Sequence, residues 1–127
     1  MVRLVRTRMF DNSLEQLRAS DADLFVVVAA DIEYLLRLKR KAELPQVRFG
    51  IAQSDFPDVT GEVRSHIAGR PEFVRILFAM PDDESICVFA VMGDKNSPEG
   101  AQGDDWYDKT VPILDEVWRR VLANPAS

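Results

Sequence analysis

The 127-residue chain contains one cysteine, Cys87, and one histidine, His66. A lone thiol excludes an internal disulfide and cannot by itself make a cysteine-based zinc site, so its expected state is a reduced, buried thiol. A lone histidine leaves metal hydrolysis poorly supplied. The acidic groups Asp82-Asp83-Glu84 and Asp104-Asp105 fall in a predicted hairpin turn and a predicted helix start, where acids are expected for structural reasons. No metal and no other cofactor is therefore expected. No apolar run approaches the roughly 20 residues that a bilayer span takes, and the opening MVRLVRTRMF alternates charge with hydrophobe rather than forming a signal-peptide core. The expected location is the cytoplasm, with no membrane partner. Gly93-Asp94-Lys95-Asn96-Ser97 lacks the second glycine and the Gly-Lys-Ser/Thr order of a phosphate-cradling loop. Positive charge is also in short supply: 16 Lys and Arg against 21 Asp and Glu give a net charge of −5, which argues against strong non-specific nucleic-acid binding.

What is present suits one domain spanning residues 1–127, large enough to bury about two thirds of its unfolded surface. Hydrophobic residues make up 46% and charged residues 29%, ordinary for a globular chain. The charge is unevenly spread. Residues 1–48 carry nine Lys/Arg against seven Asp/Glu, and residues 49–127 seven against fourteen, so a local basic patch remains open.

Val2, Leu4 and the interspersed Arg3, Arg6 and Arg8 predict a short, half-exposed first strand with its arginines toward solvent. Ser13 and Gln16 have the form of a capping box, with Leu14 and Leu17 for the helix to bury; Ser20 and Asp23 repeat the device. A longer helix is predicted from about Asp21 to Lys41, with Leu24, Val28, Ile32 and Leu35 on one face. It ends in Arg37-Leu38-Lys39-Arg40-Lys41, either a complement to the helix C-terminus or a phosphate-facing patch. Residues 42–60 lack clear periodicity, with VRFGIA a candidate short strand inside them.

The stretch Gly61 to Lys95 reads as three strands separated by Ala68-Gly69-Arg70-Pro71 and Pro81-Asp82-Asp83-Glu84, an antiparallel meander. Strand parity puts Val63 and Ile67 on one face and Glu62, Arg64 and His66 on the other. Val74, Ile76, Phe78 and Met80 form an apolar face opposite Phe73, Arg75 and Leu77, and Ile86 to Met92 is apolar on both sides, as a central strand requires. The expected picture is an α+β fold with two N-terminal helices on one face of a small antiparallel sheet, a partly open second face bearing Arg64, His66 and Arg75, and a C-terminal helix. Residues 96–103 are expected to be a mobile loop and 123–127 a frayed tail. Pro112 predicts a break in the last helical segment, either a short turn before it or a fresh helix capped by Thr110.

Nucleophilic catalysis by Cys87 is not expected mid-strand with no neighbouring base. The constellation left is Arg64, Arg75, Lys95 and Tyr107, with His66 and Glu62 nearby. Cleaving RNA without a metal requires a deprotonated 2′-hydroxyl, stabilisation of the extra negative charge on phosphorus, and a proton for the leaving oxygen. Two arginines and a lysine suit the second task; Tyr107, His66 or Glu62 suit the proton transfers. The plainer alternative pairs Arg64 with Glu62 or another acid and makes Tyr107 a packing aromatic.

In order along the chain, Glu62-Val63-Arg64, Arg75-Ile76-Leu77-Phe78-Ala79, Gly93-Asp94-Lys95 and Trp106-Tyr107 with Val111-Pro112 resemble the RelE/ParE superfamily of toxins from type II toxin–antitoxin systems, especially HigB-like members. The resemblance covers nearly the whole chain. It implies a small RelE-like α+β toxin that cleaves messenger RNA, commonly on the ribosome, and is neutralised by a cognate antitoxin protein. It also implies roles by position: Arg64 and Arg75 at the scissile phosphate, Lys95 on the substrate backbone, Tyr107 on the hydroxyl, with His66 a second proton-transfer candidate. Where well-studied ribosome-dependent members carry lysines before the first arginine, this chain has Thr60 and Glu62, and Leu44 to Asp58 shows little of the family's spacing. The same superfamily includes non-catalytic binders, ParE-like inhibitors of a protein target such as gyrase or interaction modules. That reading is the rival, favoured by the acidic balance.

Overall fold

The computed structural model describes residues 2–96 and 103–124. Strand β1 (Arg3–Arg6), helices α1 (Arg8–Ser20) and α2 (Ala22–Leu38), a 3₁₀ turn (Lys39–Lys41), strands β2 (Val47–Phe49), β3 (Thr60–Ser65), β4 (Val74–Ala79) and β5 (Ile86–Asp94), and helix α3 (Asp104–Ala123) follow in order. The sheet runs β1-β5-β4-β3-β2. The meander β3–β4–β5 and β2 are antiparallel, but β1 pairs parallel to β5, with Leu4 opposite Cys87. The sheet is therefore mixed, because α1 and α2 carry the chain across the sheet before β2. Arg8 belongs to α1 rather than to the strand, and Leu4 is exposed on the sheet edge.

Helix α1 starts five residues before the expected Ser13 cap. Thr7 Oγ1 accepts from the Phe10 amide at 3.0 Å and donates to the Ala90 carbonyl at 2.6 Å, so a contact across the sheet selects the cap. Helix α2 is capped by Asp21, whose carboxylate accepts from the Leu24 amide, while Ser20 bonds back to the Gln16 carbonyl. It ends at Leu38, short of Lys41, since Lys39 takes a positive φ of 55° and the chain tightens into the 3₁₀ turn. Of the cations there, Arg40 fastens the β4–β5 turn: Nη1 donates to the Met80 carbonyl, Nη2 pairs with Asp82 at 3.1 Å, and the amide donates to Glu84.

Both faces of the sheet are covered. Phe10, Leu24, Val28 and Leu35 from α1 and α2 pack on Val63, Ile76, Phe78, Cys87 and Phe89; Trp106, Val111, Leu114 and Trp118 of α3 pack on Leu77, Ala79, Val88 and Ala90. The second face is thus largely covered by α3. Helix α3 runs through Pro112 without a break. The proline and Asp108, whose carbonyl loses its helical partner, are both exposed, so water can satisfy what the ring removes. Among the described residues no helix is long and apolar enough to cross a membrane. Of the expected loop at 96–103, residues 97–102 lie outside the described residues, as do 125–127 of the expected tail; Ala123 is helical and Asn124 caps α3.

A register shift places Leu77 opposite Val91 but Phe78 opposite Phe89, so β5 carries one extra residue there. Ala90 and Val91 consequently both face α3, and the parity change turns Gly93 to the same side. A Cβ on Gly93 would lie 2.7 Å from the Trp106 indole nitrogen. Gly93→Ala is expected to lower stability by about 1–3 kcal/mol through this overlap, read from the urea midpoint. It is also expected to weaken the Tyr107 contact described next, because Trp106 anchors the start of α3.

Candidate functional site

In the β3–β4 ladder Arg64 stands directly opposite Arg75, and Glu62 opposite Leu77. Like charges placed opposite each other in an antiparallel pair are destabilising, so the register itself marks this end of the sheet. The two arginines have different surroundings. Arg75 is 3% exposed; its Nε lies 3.3 Å from Glu62 Oε1 and its Nη1 donates to the Val74 carbonyl at 3.1 Å. Arg64 is half-buried and makes no salt bridge or side-chain hydrogen bond among the described residues. The expected alternative pairing of Arg64 with Glu62 does not occur.

Glu62, 1% exposed, is the hub behind the arginines. Tyr107 donates to its Oε1 at 2.6 Å, and Arg48 of β2, directly opposite in register, reaches Oε2 at 2.5 Å. Neither the Arg48 contact at Oε2 nor the Arg75 contact at Nε is aligned as a hydrogen bond, so the carboxylate serves chiefly as a counter-charge. Tyr107 is 7% exposed, and burial, followed by its bond to Glu62, pushes its pKa up to about 12. The phenol is a donor to a buried carboxylate and is ill-suited to remove a proton at neutral pH. Because the folded chain holds the phenolic proton more tightly than the unfolded one, the stability from Tyr107 is complete below its ordinary pKa of 10.0 and is lost as pH rises toward about 12. Thermal unfolding from pH 8 to 12 is expected to show that loss in the wild type and a flatter curve in Tyr107→Phe. Cys87, whose buried thiol is likewise pushed up to about 12, adds to the loss in both proteins, and Lys95, its pKa lowered, opposes it in both, so the difference between the two curves isolates Tyr107.

Strands β3 and β4 run past the start of β2: Val47 pairs with Val63, and the Arg64 amide donates to the Gln46 carbonyl at 2.7 Å. Beside those strand ends lies a cleft of about 400 Å³ lined by Val27 and Asp31 of α2, Pro45 and Gln46, Arg64, His66, Phe73 and Arg75. His66 is exposed at its rim. Its Nδ1 is 2.9 Å from the Glu72 carbonyl and its ring lies flat on Phe73, centroids 4.1 Å apart and planes within 3°. Arg70, bonded to both Asp21 and Glu72, ties that hairpin to the start of α2. Lys95 lies outside the cleft lining, with its ammonium 5.9 Å from the Phe73 ring centre and the Arg75 guanidinium 5.8 Å from it. Its pKa is lowered by burial first and then by Arg75, with Arg64 and Arg48 adding to the effect against the pull of Glu62.

The structure thus brings Arg64, His66 and Arg75 to one cleft, sets Lys95 beside it through Phe73, and places Tyr107 behind it on Glu62. Sequence reasoning missed Arg48 and Asp31. Arg48 sits in a three-residue strand whose pairing no pattern announces. Asp31 carried a signal, an acid three residues after Val28 and four before Leu35 on the apolar stripe of α2. Chemically the cleft offers the Arg64 guanidinium and a second one beside it for an anion, an aromatic stack at the rim, and a carboxylate on the helical wall. Among the described residues no cluster of three metal-ligating side chains is found.

No protein-family model matches the chain, and no curated protein sequence matches it. Among solved structures, the conserved hypothetical protein HP0892 from Helicobacter pylori is 14% identical, covering 74% of this chain and 94% of that one, with a TM-score of 0.39. YafQ from E. coli strain BL21(DE3) is 17% identical, covering 79% of this chain and all of that one, with a TM-score of 0.40. Likenesses of this degree decide neither fold family nor activity.

Proposed function

We propose that the protein is a RelE-like, HigB-like toxin of a type II toxin–antitoxin system that acts in the cytoplasm and cleaves messenger RNA without a metal ion. The observation that carries this reading is the placement of Arg64 opposite Arg75 at one cleft, with no ion-pair or hydrogen-bond partner for the Arg64 side chain among the described residues. An arrangement that costs stability in the free protein is relieved when a phosphate sits between the two guanidiniums. In the reaction the 2′ oxygen loses its proton and attacks phosphorus, the bond to the 5′ oxygen breaks, and a 2′,3′-cyclic phosphate and a 5′-hydroxyl result. Arg64 and Arg75 hold the charge that builds on the phosphoryl oxygens. The Lys95 ammonium, its pKa lowered, gives the leaving 5′ oxygen its proton. The His66–Phe73 stack offers a surface for a neighbouring base, and Tyr107 holds Glu62 in place instead of removing a proton. The partners are a cognate antitoxin and messenger RNA, presented by the ribosome. A concentrated patch of cations compensates locally for the acidic whole.

One observation favours the rival, a non-catalytic binder of the same fold that blocks a protein target such as gyrase or serves as an interaction module: Glu62 already neutralises Arg75 and Arg48 and engages Tyr107. Expression in a bacterium without an antitoxin, with growth followed alongside mapped messenger RNA ends, separates the two, with Arg64→Ala as control. Growth arrest with new RNA ends that vanish in the variant supports the nuclease. Arrest without new ends turns the reading to a protein target. No arrest at confirmed soluble expression overturns the toxin assignment.

A further inference from the structure

The cleft needs a group that takes the 2′ proton, and two of the residues first suited to that role, Tyr107 and Glu62, are occupied. Tyr107 donates its own proton to Glu62, and Glu62 is enclosed by Tyr107, Arg75 and Arg48. His66 lies flat on Phe73 at the rim with Nδ1 held by the Glu72 carbonyl, on the same β3–β4 side as the arginines that hold the phosphate. On the opposite, helical wall stands Asp31. Its Oδ2 accepts from the buried Ser65 hydroxyl at 2.7 Å, and Oδ1 has no hydrogen bond among the described residues. It shares the cleft with two arginines yet makes no salt bridge to either, so carboxylate and guanidiniums line one space without touching. A cleft of about 400 Å³ lies within the roughly 300–1,000 Å³ typical of ligand sites.

Resting on the RNA-cleavage reading, we propose that Asp31 is the general base of the cleft: its Oδ1 takes the proton of the 2′-hydroxyl while Arg64 and Arg75 hold the phosphate from the strand side. The proton passes to the Asp31 carboxylate, the 2′-oxygen electron pair forms the new P–O bond, and the pair of the breaking P–O bond leaves with the 5′ oxygen, which is protonated by Lys95. The charged or titratable groups sharing the cleft with Asp31 are Arg64 and His66 at the end of β3 and Arg75 of β4; from the segment before β2 come only the neutral Pro45 and Gln46. Burial holds the Asp31 carboxyl above its usual range, opposed by the Ser65 hydrogen bond. A carboxylate so placed is a stronger base than a free one.

The test is single-turnover cleavage of a messenger by the purified full chain, both on programmed ribosomes and free, as a function of pH. The wild-type rate is expected to fall on the acid side as Asp31 takes up a proton. Asp31→Asn is expected to lower the neutral-pH rate about 10²–10³-fold and to remove that acid limb, with Asp31→Glu restoring part of it. Ser65→Ala removes the bond that holds the carboxyl pKa down, so it is expected to move the acid limb to higher pH, and this reading does not depend on how well Asp31→Asn folds. An active wild type whose acid limb survives in Asp31→Asn, or stays in place in Ser65→Ala, overturns the assignment of Asp31 while leaving the nuclease intact. A wild type that cleaves under neither condition overturns both.

Discussion

Replacing Arg64 by alanine is expected to lower RNA cleavage about 10²–10³-fold, the loss seen when one preorganised charge donor is taken from a transition state, while leaving the fold as stable as before or more so. The two effects part because the Arg64 side chain has no ion-pair or hydrogen-bond partner to lose among the described residues and stands opposite Arg75 in the ladder. Relief of a like-charge cross-strand pair is worth roughly 0.2–1 kcal/mol, offset by the lost packing of a half-buried side-chain stem. Stability between no change and a gain of about 1 kcal/mol is therefore expected, measured by urea unfolding. Arg64→Lys keeps a charge but not the planar fork, so it should recover only part of the rate. A loss of several kcal/mol in Arg64→Ala would show that the guanidinium is a structural brace, and the site would then lose its anion-binding residue.

That site was legible in the sequence where alternation carried the information. With β3 and β4 bounded by glycine and proline turns, parity alone put Glu62 and Arg64 on one face and Arg75 with Leu77 on the matching one, and the register agrees. Register across β2 was not legible, since three residues give alternation nothing to count, and so the Arg48–Glu62 pair was missed. The extra residue in β5 was hidden for a different reason. Ile86 to Met92 is apolar at every position, and a run that reads the same on both faces cannot show where its parity changes. The first helix went astray because Ser13 and Gln16 fit a local capping rule, whereas Thr7 is selected by the Ala90 carbonyl across the sheet. Pro112 misled in the same manner: the Asp108 carbonyl that the ring frees is exposed to water, and α3 continues through it.

The role of Tyr107 shows why residue type and position do not settle chemistry. Read along the chain, a tyrosine beside three cations is a candidate base; placed 2.6 Å from a buried carboxylate, it is a proton donor to that carboxylate and a strut for it. What turns the role around is Glu62, the buried acid on the same strand face as Arg64. It allows two further cations to be gathered behind Arg64 in a chain of net charge −5 without leaving Arg75 as an uncompensated buried charge.

Removing that acid is expected to have the largest effect on the fold. Glu62→Ala leaves the Arg75 guanidinium, 3% exposed, without a counter-ion, and it leaves the Tyr107 hydroxyl without its acceptor and Arg48 without its counter-charge. Breaking a buried pair by taking one partner away costs about 3–5 kcal/mol, a large share of the roughly 5–15 kcal/mol that holds a domain of this kind together. Glu62→Gln keeps the shape and an oxygen for Tyr107 but not the charge, so its loss should be smaller, about 1–3 kcal/mol. Pairing each with Arg75→Met separates the terms. If Glu62 exists to neutralise Arg75, Glu62→Ala costs less in the Arg75→Met background than in the wild type, and the difference measures the coupling. A full loss in both backgrounds would instead assign the effect to Tyr107 and Arg48. An Ala variant within about 1 kcal/mol of the wild type would mean that water reaches Arg75 once the carboxylate is gone, and that the cleft extends back to Tyr107.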